Sequence, residues 1–240
     1  MPPRRSRRSR SPRSAMSSRT RARRSRSACI GHAPGRCRRS SSTSTAAAGS
    51  SAAWRSLIPS AARSRTRVVA PSYLGVDPSR IAVGGSSAGG NLAAVVTLMA
   101  REHRAPPIAF QLLHVPVTDH DFGTPSYRTN GTGFGLTLAG MTWFWDHYAP
   151  DPKLRDEPYA SPLRAPDLSG LPPAHVVTAE CDPLRDEGKA YAARLLEAGV
   201  PTTYVEYPGM VHGFTSMAML VPTGRTAIDD MGAALRRALT

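Results

Sequence analysis

Three residues able to perform acyl transfer together occur along this chain in a fixed order. Ser87 lies within Gly85-Ser86-Ser87-Ala88-Gly89. Asp182 opens Asp182-Pro183-Leu184-Arg185-Asp186-Glu187-Gly188, and His212 sits in Val211-His212-Gly213-Phe214. A serine hydroxyl is a weak nucleophile until a base takes its proton. Histidine can take it and later return it to a leaving alcohol. An aspartate on the far ring nitrogen fixes the imidazole tautomer and stabilises the imidazolium. Ser87, Asp182 and His212 are therefore the catalytic candidates. The backbone N–H of Ala88, at the start of a predicted helix, is the candidate oxyanion-hole donor, reinforced by the helix dipole. Gly85 and Gly89, with Ala88 and Gly90, leave the tight turn of a nucleophile elbow free of side-chain bulk.

Each candidate has competitors. Asp186 or Glu180 could stand in for Asp182, although Asp186 and Glu187 are better suited to capping and charging the first turn of their helix. His114, His120, His147 and His175 compete with His212, but they fall before or within predicted strands or in the central insert. Trp143, Phe144, Trp145 and Tyr148 belong to a helix after Leu136, and are expected as core or pocket wall.

The elements needed to position these residues are legible in the hydrophobic pattern. Arg80 to Gly84 reads as a short buried strand, and Asn91 to Ala100 as a helix apolar on nearly every face. Ile108 to Val115, bounded by Pro107 and Pro116, reads as a second buried strand. Ala174 to Ala179 and Thr202 to Tyr207 supply two more. Glu187 to Ala198 reads as an amphipathic helix ended by Gly199, and Ala227 to Leu239 as another. Strands alternating with helices imply a parallel α/β sheet with right-handed crossovers. Ser87, Asp182 and His212 each follow a predicted strand, so the fold would gather them at the carboxyl edge of the sheet, where such folds place their chemistry.

Composition divides the chain of 240 residues. The formal charge of +14 and pI near 10.9 would suggest an acidic partner such as nucleic acid. The distribution argues otherwise. Residues 1–67 hold 18 Arg and neither Lys, Asp nor Glu, and the first acid is Asp77. Residues 68–240 carry 13 basic against 17 acidic residues, a net charge of −4. The expected organisation is thus an Arg/Ser-rich atypical segment over 1–67 and a catalytic domain over 68–240. Cys29, Cys37 and Cys181 form neither metal-ligand spacing nor an even-numbered disulfide framework, which suits a reducing, cytoplasmic setting. No run approaches the ~20 apolar residues that span a bilayer, and no apolar segment follows the early arginines as a signal peptide requires.

With these residues in place, the chain resembles the hormone-sensitive-lipase-like branch of the α/β-hydrolases, which holds bacterial acetyl esterases and carboxylesterases. The resemblance rests on Leu74 through Ala93, on Tyr159-Ala160-Ser161-Pro162-Leu163, on Asp182–Gly188 and on His212-Gly213-Phe214. Ser86 stands where the family commonly has Asp. The resemblance implies an α/β-hydrolase fold, a mostly parallel sheet flanked by helices, and hydrolysis of small carboxylic esters of short to medium acyl chains. It implies no cofactor and no metal. The family also carries His-Gly-Gly-Gly upstream, whose glycine N–H groups complete the oxyanion hole. This chain has no such motif, so the N-terminal part of the sheet and the cap are expected to be missing or scrambled and activity to be impaired. A homodimer is compatible with the sequence. A nucleic-acid-binding protein, with a basic arm and a dead hydrolase domain, is the alternative reading.

The arginine-rich head could be a transit peptide, a phosphate-binding arm or plain disorder. A fourth reading accounts for the composition, the charge boundary and the missing motif together. If the reading frame is set back by one base over Ser44-Thr45-Ala46-Ala47-Ala48-Gly49, the permitted codons can spell His-Gly-Gly-Gly-Trp. The same shift over Ser27 to Gly35 can spell a strand like the one preceding that motif in the family. Residues 1 to about 67 are then not native family sequence. Reading the coding nucleotides from codon 20 to codon 75 tests this: an out-of-frame His-Gly-Gly-Gly is expected, and its absence disposes of the idea.

Overall fold

The apolar runs with β-branched residues extend side by side, and the periodic segments between them cross back over their faces. The computed structural model describes residues 77–104 and 107–240, so the segment expected over 1–67 lies outside the described residues. Four strands, β1 (Ala82–Ser86), β2 (Phe110–His114), β3 (Ala174–Cys181) and β4 (Thr202–Val211), form one sheet in the order β1-β2-β3-β4. All three pairings are parallel. The register sets Ser86 opposite His114, and His114 opposite Val177, so the carboxyl ends of neighbouring strands are level.

Among the described residues five α-helices connect and flank the strands: α1 (Ala88–Glu102), α2 (Pro125–Asn130), α3 (Leu138–Tyr148), α4 (Arg185–Glu197) and α5 (Pro222–Ala238). Among the described residues no helix is long and apolar enough to cross a membrane. Successive residues of a strand face opposite sides, and β3 shows both. Val176 packs with Ala94, Leu98, Tyr191 and Leu195 of α1 and α4, whereas Val177 packs with Val115, Tyr207 and Ala227 toward α5. Burial on both faces explains why β3 reads as a continuous apolar run.

Most elements differ from their expected bounds by a few residues, and three of the differences have visible local settings. Pro78–Arg80 forms a 3₁₀ turn capped by Asp77, whose carboxylate accepts from the Ser79 N–H at 2.9 Å, so β1 starts at Ala82. Helix α5 begins at Pro222 rather than Ala227, with Pro in its first turn where the lost N–H costs nothing. Strand β4 runs on past Tyr207 through Pro208 and Gly209, and Cys181 then pairs with Val211 across a register shift. Glu180 holds that irregularity by accepting the Gly209 N–H at 2.6 Å.

Between β1 and α1 the chain reverses with almost no room. A Cβ on Gly85 would lie 2.1 Å from the Gly89 carbonyl oxygen, and one on Gly90 would lie 2.8 Å from Pro116 Cβ. A Cβ on Gly89 would meet nothing within 4 Å. Steric demand therefore falls on Gly85 and Gly90, and not on Gly89 as its place in the motif suggested. Gly85→Ala and Gly90→Ala are each expected to lower stability by about 1–3 kcal/mol. Gly89→Ala should be neutral or gain up to about 1 kcal/mol from helix propensity. Urea unfolding midpoints of the three variants test this ordering.

Candidate active site

Ser87 occupies the turn with φ 58° and ψ −121°, a conformation that strains a residue bearing a Cβ. The surrounding backbone holds it there. The Ser87 N–H donates to the His114 carbonyl at 2.9 Å, and the Ser87 carbonyl accepts from Gly90, Asn91 and Val117 at 2.9, 3.1 and 3.3 Å. The strained turn aims Oγ away from the sheet, toward the loop after β4. There His212 Nε2 lies 2.9 Å from Ser87 Oγ, and His212 Nδ1 lies 2.8 Å from Asp182 Oδ2. A carboxylate only accepts, so Nδ1 carries the proton and Nε2 is left to accept from the serine hydroxyl. Asp182 itself is buried, and its other oxygen accepts the Leu184 N–H at 2.9 Å. Ala88 is the first residue of α1, whose opening N–H groups have no partner within the helix. The structure thus brings Ser87, Asp182, His212, Ala88, Gly85 and Gly89 to one corner.

The competing residues hold other positions, with His147 on the wall of the cavity beside Ser87 and His114 against Ser86. Glu180 is committed to Gly209, and Asp186 accepts from the Ser126 N–H at 2.7 Å and from Arg185 at 2.9 Å. Neither acid caps its own helix: α4 has no side-chain cap, and Asp186 and Glu187 both reach across to neighbouring loops. His147 donates from Nδ1 to the Trp143 carbonyl at 2.8 Å, and His175 is buried within β3. A second serine–histidine contact joins Ser161 Oγ to His120 Nδ1 at 3.3 Å. Its geometry is not that of a nucleophile and base. Ser161 has no exposed surface, Asp119 approaches the same ring nitrogen at 3.5 Å, and Asp156, 3.6 Å from the opposite one, is held by Arg164. Arg164 ties both Asp119 and Asp156 at 2.6 Å, so this cluster braces the insert between β2 and β3.

Ser87 opens on a cavity of about 380 Å³ walled by Leu92, Val117, Leu136, Met141 and the aromatic face of α3. Phe144, Trp145 and Tyr148 contribute to that wall as the sequence implied. Trp143 does not; it points outward and stacks on His147 with ring centres 4.0 Å apart. Asn91 was not singled out by its sequence, yet it fixes the wall to the elbow. Its buried amide donates to the Val117 and Ala160 carbonyls at 3.0 and 2.9 Å. Among the described residues no group of three His, Cys, Asp or Glu is placed to hold a metal ion.

Comparison with known proteins places the chain among related sequences and folds. Residues 43–216 match a family model described as the α/β-hydrolase fold, beginning ahead of the boundary expected at 68. Over 169 residues the chain is 45% identical to carboxylesterase NlhH of Mycobacterium tuberculosis, covering 69% of this chain and 53% of that protein. It is 37% identical over 171 residues to ethyl acetate hydrolase of Pseudomonas putida, covering 70% and 50% respectively. The crystal structure of a thermostable esterase from Pseudomonas putida superposes with a TM-score of 0.69 at 48% identity, covering 71% of this chain and 55% of that one. The chain spans about half the length of the curated relatives it matches.

Glu187 is the residue that sequence reasoning placed least well. Its helix position suggests a residue that caps and charges the first turn, but its carboxyl is buried and accepts the Thr118 N–H at 2.8 Å and the Asp119 N–H at 3.4 Å. Its backbone carbonyl also accepts from Thr118 Oγ1 at 2.9 Å, so α4 and the loop after β2 are clamped together. Burial pushes the carboxyl well above the usual glutamate range. The two N–H donors oppose that shift, while the charges of Asp119 and Asp182 add to it. A carboxyl raised by folding makes the folded state progressively less favoured as pH climbs above the unfolded value of 4.5. Glu187→Gln keeps the acceptor and removes the titration. Its Tm advantage over the unchanged chain is expected to widen between pH 5 and pH 8, by on the order of 3 °C. A pH-independent difference in thermal unfolding would assign the titration elsewhere.

Proposed function

Because the chain belongs to the α/β-hydrolase-fold family, we propose that it hydrolyses small carboxylic esters through an acyl-Ser87 intermediate. The observation that carries this reading is the continuous row Ser87–His212–Asp182, at 2.9 and 2.8 Å, at the mouth of an apolar cavity. Ser87 Oγ attacks the ester carbonyl while His212 Nε2 takes its proton. The tetrahedral intermediate then expels the alcohol, to which His212 returns that proton. Water, activated by the same imidazole, attacks the acyl-enzyme and releases the acid and free Ser87. Asp182 holds Nδ1–H throughout and stabilises the imidazolium. The Ala88 N–H donates to the oxyanion.

The cavity admits a short to medium acyl chain, and its aromatic wall is suited to apolar substituents. No His-Gly-Gly-Gly occurs in the chain, so turnover should fall short of a complete site; losing such donors costs roughly 10²–10³-fold. The hydrogen-bonded row also favours esterase chemistry over a nucleic-acid-binding protein with a dead domain, which has no need of that alignment. Hydrolysis of p-nitrophenyl acetate tests the reading. Ser87→Ala should abolish it, and Asp182→Asn should reduce kcat by roughly 10³–10⁴-fold through loss of the correct tautomer. Absence of any Ser87-dependent hydrolysis, together with strongly salt-dependent DNA binding, would favour the alternative.

A further inference from the structure

A second histidine lies directly under the catalytic row. His114 ends β2 and is paired in register with Ser86, the residue just before the nucleophile. Ser86 Oγ lies 2.8 Å from His114 Nδ1, and His114 Nε2 makes a long 3.5 Å contact with Thr215 Oγ1. The His114 ring also packs against Phe214, with centres 5.5 Å apart. Phe214 is fully buried and in turn packs on Tyr207 of β4. His114 therefore touches, by two separate contacts, the turn that immediately follows His212. Its backbone carbonyl is meanwhile the acceptor that holds the Ser87 N–H. One residue thus bridges the strand carrying the nucleophile and the turn carrying the base.

We propose that Ser86, His114 and Thr215 form a positioning relay that sets the distance between Ser87 and His212. His114 is a positioning residue, since the side chain reaches neither Ser87 Oγ nor the cavity wall. The relay needs an uncharged imidazole, because a second cation beside His212 would oppose the imidazolium formed during catalysis. The surroundings supply that condition: burial, and then the neighbouring His212, push His114 down to about 4, against the pull of Asp182. Ser86 suits this role. Its hydroxyl can donate to or accept from a neutral ring, whereas the Asp common at this position in the family would draw a proton onto it. The serine at position 86 and the buried histidine at position 114 are matched partners.

The relay rests on the esterase reading, and the test separates the two. The full-length chain is treated with diisopropyl fluorophosphate, which phosphorylates an activated serine. Ser87 Oγ bonds to phosphorus as fluoride leaves, and His212 takes the hydroxyl proton. The rate at pH 8 reports how well Ser87 and His212 are aligned, without requiring a complete ester-hydrolysis cycle. His114→Leu is expected to slow labelling about tenfold, and His114→Gln to recover most of that loss. Ser86→Ala and Thr215→Val, which leave the buried core intact, should each slow labelling about threefold. The double variant Ser86→Ala/His114→Leu should be no slower than His114→Leu alone, since both interrupt one chain of contacts. Equal rates for His114→Leu and the unchanged chain, no recovery with Gln, or losses that multiply in the double variant would overturn the relay alone. An unchanged chain that is folded but not labelled at Ser87 overturns the esterase reading, and the relay with it.

Discussion

Everything at the site depends on how closely the end of β1 approaches the start of α1. With Gly85 against the Gly89 carbonyl and Gly90 against Pro116, the chain has space for only one path. That path forces Ser87 to a positive φ, a cost the backbone bonds from His114, Gly90, Asn91 and Val117 offset. The strain is useful because it is directional. It lifts Oγ off the sheet and leaves the first amide of α1 facing the same space. A relaxed turn would return the hydroxyl to the strand and bring it into competition with the ladder.

The second constraint is the level edge of the parallel sheet. Asp182 follows β3 and His212 follows β4, so strand pairing alone brings them near Ser87 despite the long sequence separation. Finer placement comes from the chain around them. Leu184 and Asn130 hold the Asp182 segment, and Glu187 ties that segment to the loop after β2. Phe214 seats the turn after His212. Asp182, His212 and Ser87 are each fixed by different neighbours. Their alignment is therefore a property of the whole sheet edge.

The parts of this arrangement readable from sequence were those with short-range causes. The meeting of Ser87, Asp182 and His212 was legible because each follows an expected strand within a few residues, and the elbow because its glycines cluster beside the serine. Helix α2 was not, since its six residues are stabilised by Ser126 contacts to Pro183 and Asp186, some sixty positions away. Glu187 looked like a residue serving its own helix's first turn because its real partner, Thr118, is equally remote. Strand β4 seemed to stop at Pro208 because Pro-Gly signals a turn; a carboxylate on the neighbouring strand instead keeps the pairing going beyond an irregularity. In each case the pattern was correct locally and was overridden by a contact from elsewhere in the chain.

The cavity wall has a different origin from the hydrogen-bonded row. Ser87, Asp182 and His212 belong to strand ends, whereas Met141, Phe144, Trp145 and Tyr148 belong to a helix spliced between β2 and β3. That helix is anchored through Met141 and Trp145, which are buried with Tyr127, Ala160 and Leu184, and much of its remaining surface faces solvent. The hydrogen-bonded row and the cavity wall thus occupy separate stretches of chain. Descendants of such a protein could exchange the spliced helix, and with it the shape of the cavity, while inheriting the Ser87–His212–Asp182 row unchanged.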